Sequence, residues 1–123
     1  MPMHRHHHHL AATSVSEIIA LVREGDYDRF LAIQLAPKAK RAALYAITAL
    51  HVEVARIAEM VSEPLIGYIR LAWWREALEE IMAQRLPRNH PVVHALATYC
   101  GDNMSVLSLV LTIADARAMD LEN

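Results

Sequence analysis

The stretch VSEPLIGYIRLAWWREALEEI, residues 61–81, holds both tryptophans of the chain, Trp73 and Trp74, side by side between Arg70 and Arg75. At about 100° per residue, Trp73, Trp74, Gly67, Leu71, Ala77, Leu78, Ile81 and Met82 fall in one half of a helical wheel. Arg75, Glu76, Glu79 and Glu80 fall in the other half, so the stretch reads as an amphipathic helix. Ser62 is read as its N-cap, with Pro64 in the first turn, where the missing N–H costs nothing. The helix is expected to run to about Arg85, before LPRNHP (residues 86–91) breaks it.

Arg70 departs from this pattern. It falls near the middle of the apolar half, between the directions of Trp73 and Trp74. A guanidinium stays charged at any useful pH, so burial there demands an acidic partner, an aromatic face or a bound anion. Two readings are open: a structural arginine stacked on tryptophan, or one wall of a pocket for an anionic, largely apolar ligand. On the opposite face, Glu76 and Glu80 stand one turn apart, a spacing that can hold a divalent cation. Arg75 precedes Glu79 by one turn on the same dense face, which favours a solvated ion-pair surface.

Working outward, the other segments also read as helices. Ser14 and Glu17 form a capping-box pattern opening VSEIIALVREG, which Gly25 can close from just beyond the last turn. DYDRFLAIQLAP follows, capped by Asp26 or Asp28 and stopped near Pro37. A long helix is expected from about Ala39 to Val61, its residues Ala43, Ala46, Ile47, Leu50, Val54, Ile57, Ala58 and Val61 recurring at helical spacing. Asn89 or His90 with Pro91 opens a short helix through Tyr99, and Ser105 is read as the cap of a last one from Val106 to Leu121. Five or six helices on short loops predict an all-α, antiparallel helical array.

The composition agrees. In a chain of 123 residues, 54% apolar and 21% charged, with three glycines and five prolines, one modest helical core is expected. A net charge of −2 without a basic stripe argues against nucleic acid. The single cysteine, Cys100, excludes an internal disulfide and a cysteine-rich zinc site, and reads as a small packing residue. No apolar run reaches the roughly 18 to 20 residues that span a bilayer, and the start lacks a signal-peptide core. A cytoplasmic protein, at most peripheral to a membrane, is expected. Residues 1–13, with the histidine-rich MHRHHHH, read as a disordered tail or tag, and residues 14–123 as the helical domain.

The order of several stretches resembles the N-terminal part of the squalene/phytoene synthase family, the head-to-head prenyl transferases of the isoprenoid synthase fold. They are DRFLAIQLAPKAKRAALYAI (28–47), EVARIAEMVSEPLIGYIRLAWWREALEEI (53–81), HPVVHAL (90–96) and DARAMDL (115–121). VSEP followed by G..RLAWWREAL makes the match specific. The wording is similar to the branch that includes the family's mitochondrial complex I assembly factor, rather than to carotenoid-making enzymes. The resemblance implies the N-terminal half of an isoprenoid synthase-like fold and a wall of its central apolar cavity at RLAWWR. Arg41, Tyr45, Glu59, Arg70, Trp73 and Trp74 become the pocket candidates. Arg70 is expected to turn inward and reach a carboxylate, with Glu59 leading and Glu53 and Asp120 next.

Enzymes of the family resemble one another in two D-x-x-x-D motifs on facing helices, which hold the Mg²⁺ ions that grip a substrate diphosphate. Carboxylates at i and i+4 share a helical face, so the leaving diphosphate is neutralised where charge develops. Anchored on Arg41 and Tyr45, the first motif falls on ARIAE, leaving Ala55 and Glu59 in place of the two aspartates. A slip of three residues leaves Val52 and Arg56 instead. Glu59 and Glu63 are four apart, but Ser62 and Pro64 mark a break between them. The second motif lies, in the family, beyond AMDL, so half of the expected fold is taken to be absent.

These observations predict a non-catalytic or assembly-factor-like homologue with an isoprenoid-type pocket and no cofactor of its own. Mg²⁺ is implied only for an active, full-length family enzyme. The expected partners are a prenyl diphosphate or isoprenoid-like ligand and a protein of a respiratory complex, with self-association through exposed apolar faces. The rival reading is a fragment of an active prenyl transferase making squalene or phytoene. An unrelated bundle would require the ordered match to be accidental.

Overall fold

The computed structural model describes residues 15–59 and 62–122, and every regular element among them is helical. The histidine-rich start, Ser14, Val61 and the side chain of Asp120 lie outside the described residues. Helix α1 covers residues 15–25, followed by α2 (Tyr27–Gln34), a 3₁₀ turn (Lys38–Lys40), α3 (Arg41–Ala58), α4 (Pro64–Met82), α5 (Pro91–Cys100) and α6 (Met104–Glu122). This is the all-α array expected.

Helix α3 lies at the centre, packed against α2, α4, α5 and α6, while α4 meets α6 most extensively. Its buried side chains Ala46, Ala49, Leu50, Val54 and Ile57 recur at intervals of three and four, the spacing of a helix covered along one broad sector. They meet Ile18 and Val22 of α1, Leu71, Trp74 and Leu78 of α4, Leu96 of α5 and Leu107 of α6 in one core. Leu50 is fully enclosed, and its truncation to alanine would cost about 2–5 kcal/mol. Cys100 joins this core, and burial pushes its thiol pKa up, as a packing role requires.

The helix ends show which local signals prevailed. Asp26 caps α2, its carboxylate accepting from Arg29 N at 3.2 Å. His90 caps α5, its Nδ1 accepting from Val92 N at 3.1 Å, with Pro91 in the first turn. Three expectations are corrected. Glu63, not Ser62, is the N-cap of α4 and makes no side-chain cap bond; Pro64 already sets the entry conformation and needs no donor satisfied. Asn103, not Ser105, caps α6, accepting from Val106 N at 3.1 Å, because the helix begins two residues earlier, at Met104. Gly25 ends α1 as its last helical residue, and no described glycine has positive φ. Its role is close approach: a Cβ there would collide with Val52 of α3.

Helix α4 stops at Met82, short of Arg85, through a left-handed cap. Gln84 has φ of 59°, Gln84 N donates to Ile81 O and Arg85 N to Glu80 O, each at 2.9 Å. This is the Schellman pattern with glutamine where glycine is usual. The long helix α3 likewise starts after a 3₁₀ turn rather than at Ala39, and Glu59 is its C-cap.

Candidate functional site

The two tryptophans hold one wall of an open hollow of about 210 Å³, lined by Glu53, Ile57, Arg70, Trp73, Trp74 and His90. Three helices build it. α4 brings Arg70, Trp73 and Trp74, α3 brings Glu53 and Ile57 one turn apart, and the cap of α5 brings His90. A second hollow of about 270 Å³ shares Glu53 and His90 and continues towards Glu17 and Leu21 of α1.

The aromatic wall is closely packed. The Trp73 and Trp74 rings meet edge to face, centroids 5.0 Å apart at 87°, and the His90 ring packs 5.5 Å from Trp73 and 5.0 Å from Trp74. Accepting the Val92 amide hydrogen at Nδ1 requires the neutral imidazole, with its proton on Nε2. Burial pushes the His90 pKa below its ordinary value; His94 adds to this, while the Glu53 and Glu17 carboxylates oppose it.

Arg70, expected to turn inward, is exposed at the lip of this hollow, alongside both tryptophans and Glu53. The wheel placed it correctly by angle, beside Trp73 and Trp74, but not by depth.

Arg88, from the segment between α4 and α5, stacks on Trp73. Its guanidinium carbon sits 5.2 Å from the Trp73 ring centroid. Nε and Nη2 donate to the two oxygens of Glu80 at 2.9 and 2.8 Å, Nη2 also reaches Glu76 at 3.2 Å, and Nη1 reaches the Trp73 carbonyl at 3.4 Å. The hydrogen bonds to Arg88 hold the Glu80 carboxyl below the usual carboxylate range, and Glu80 in turn raises the guanidinium pKa. Glu76 and Glu80 thus hold a guanidinium from across a loop, on the ion-pair surface expected. Arg75 pairs with Asp115 of α6.

The remaining candidates lie elsewhere. Arg41 donates from Nε to Ala36 O and from Nη2 to Gln34 O, both at 3.0 Å, tying the end of α2 to the start of α3. Tyr45 accepts from Gln34 Nε2 and borders a small apolar hollow between α1, α3 and α5. Glu59 is exposed at the end of α3 and does not line the tryptophan hollow; Ala55 is half-buried and does not line it either. The carboxylate that α3 presents to the hollow is Glu53, which also lies 3.8 Å from Arg56.

A magnesium ion bridging to diphosphate takes several carboxylate oxygens. Along the hollow-facing side of α3, Glu53 is followed one turn later by Ile57, and a guanidinium stands on α4. Among the described residues, no group of three or more histidine, cysteine, aspartate or glutamate side chains is placed to hold a metal ion. The residues present do not fit such a clamp.

The squalene/phytoene synthase family model matches residues 22–123, and the chain belongs to that family. Among curated proteins it is similar to NADH dehydrogenase (ubiquinone) complex I, assembly factor 6. It is 29% identical to the Homo sapiens protein over 105 residues, 85% of this chain and 31% of that one. Against the Rattus norvegicus protein the identity is 30% with the same coverage of 85% and 31%. The chain thus spans about a third of the length of these relatives. No solved structure matches it. Among the described residues, no helix is long and apolar enough to cross a membrane.

Proposed function

We propose that this chain is a non-catalytic squalene/phytoene synthase-family protein that acts like an assembly factor, with the tryptophan hollow taking an isoprenoid-type ligand. The observation that carries the reading is the pair Glu53 and Ile57. Where prenyl transfer needs two carboxylates on one helical face, this face offers one carboxylate and one isoleucine. A diphosphate left without divalent ions has no means of leaving, because charge developing on it is not neutralised. Ile57, Trp73 and Trp74 supply the apolar surface that an isoprenoid chain buries, and Arg70 at the lip suits an anionic end.

The named relatives support the protein-partner half of this reading: they are called assembly factors of complex I. The partner here is then a respiratory-complex subunit, with the hollow serving recognition or stability.

Two measurements test the reading. With farnesyl or geranylgeranyl diphosphate and Mg²⁺, the chain should release no pyrophosphate, and Ala55→Asp with Glu59→Asp should not confer turnover, since neither position lines the hollow. In the native cell, deletion of the gene should lower the amount of assembled NADH dehydrogenase on native gels. Turnover by the unmodified chain, or unchanged assembly after deletion, overturns it.

A further inference from the structure

We propose that the corner between α2 and α3 docks on an anionic lipid bilayer. The inference is independent of the tryptophan hollow. At this corner the chain exposes its leucines: Leu35 is 89%, Leu31 46% and Leu44 37% exposed. Phe30 and Ile33 of α2 turn inward, Phe30 against Tyr45 with centroids 6.3 Å apart, which leaves Leu31 and Leu35 on the outward side.

The exposure does not come from a loose loop. Leu35 N donates to Ala32 O and Ala36 N to Ile33 O, both at 3.0 Å, and Lys40 N to Pro37 O at 2.9 Å. Arg41 then closes the corner on the carbonyls of Gln34 and Ala36. Leu35 is held out on a fixed backbone, so it reaches a partner without a further ordering cost.

Charge selects the partner. From Leu31 to Val52 the sequence has no aspartate or glutamate, whereas Lys38, Lys40 and Arg41 fall within it. Lys38 and Lys40 are exposed three and five residues after Leu35, and Lys40 is one turn before Leu44. Asp28 lies one turn before Leu31, at the far edge, with Arg29 next to it. Exposed leucines bordered by lysines match the interface of a membrane, where apolar side chains enter the acyl boundary and ammonium groups meet lipid phosphates and carboxylates. A nucleic acid would use the lysines but not the leucines, and a neutral apolar partner the leucines but not the lysines.

The test is sedimentation of the full chain with vesicles of phosphatidylcholine alone, or of phosphatidylcholine with phosphatidylserine. It is run at about pH 8, where histidines are neutral and the histidine-rich start adds no imidazolium charge. Binding to the anionic vesicles alone, falling with added salt, is expected. Lys38→Gln with Lys40→Gln should weaken it by about tenfold or more, and Leu31→Ser with Leu35→Ser comparably. Leu65→Ser with Ile69→Ser, on exposed residues of α4, should leave it unchanged. A second readout uses Leu35→Cys carrying an environment-sensitive dye, whose emission should shift to the blue on the anionic vesicles. Equal binding to both vesicle types, no binding to either, or full binding after the leucine substitutions, as an acidic protein-like attraction would give, overturns the proposal. So does an α4 pair that weakens binding as much as the corner pair, or a dye that does not shift.

Discussion

The guanidinium of Arg88 lies over the Trp73 ring while one of its nitrogens donates to the carbonyl of that same residue at 3.4 Å. One side chain from an irregular segment therefore fixes both the backbone and the indole of the residue that walls the hollow. The fork on Glu80 holds Arg88 in that position.

Replacing Arg88 by methionine should destabilise the protein by about 1–2 kcal/mol, the sum of a partly exposed charge-assisted pair and a cation–π contact. Lysine keeps the charge but loses the planar fork, so Arg88→Lys should recover less than half of that. Urea unfolding followed by tryptophan fluorescence measures both. A lysine variant as stable as the wild type would show that the fork is irrelevant.

Gln84 holds a left-handed conformation that costs a side-chain-bearing residue energy. Gln84→Gly should stabilise the protein by about 0.5–1 kcal/mol, whereas Gln84→Val should destabilise it by at least as much. Thermal midpoints of the two variants on either side of the wild type are the expected result; a glycine variant below it contradicts the cap assignment.

Acid should weaken the fold through His90. Its pKa in the folded protein lies below the ordinary value of 6.5, chiefly through burial, so the unfolded chain takes up the proton more readily. The contribution is complete above the ordinary value and is lost as pH falls from there through the lower folded value. His51, lowered by burial and then by Arg29 and Arg117, acts in the same direction. His90→Asn keeps a capping acceptor without titrating. Its melting temperature should fall less steeply than the wild type's between neutral and mildly acidic pH; identical slopes would remove His90 from the account.

Gly25→Ala sets propensity against packing. Helix propensity alone favours alanine by up to about 1 kcal/mol. The Cβ would press on the stiff, branched Val52, and overpacking of this kind costs about 1–3 kcal/mol. Net destabilisation is expected, with Val52→Ala restoring part of it in a double-mutant cycle. Stabilisation by the single change would show that α1 and α3 separate freely.

Caps, prolines and apolar spacing determined much by themselves: a run of five or six helices, their approximate ends and the buried sector of α3 are properties of short stretches, and local sterics and backbone hydrogen bonding act within a few residues. Asp26 and His90 were legible as caps because a side-chain acceptor two or three residues before an orphan N–H is a local fact. The family resemblance was legible because it lies in residue order.

Tertiary structure decided the site. A wheel gives Arg70 an angle but not its exposure, which depends on how the neighbouring elements pack. Arg88 carries no periodic signal, and its place over Trp73 exists only because the left-handed turn at Gln84 sends the chain back along α4. Glu53 rather than Glu59 meets the hollow because the rotation of α3 is set by what its buried side packs against, a sum over many contacts that no short motif contains.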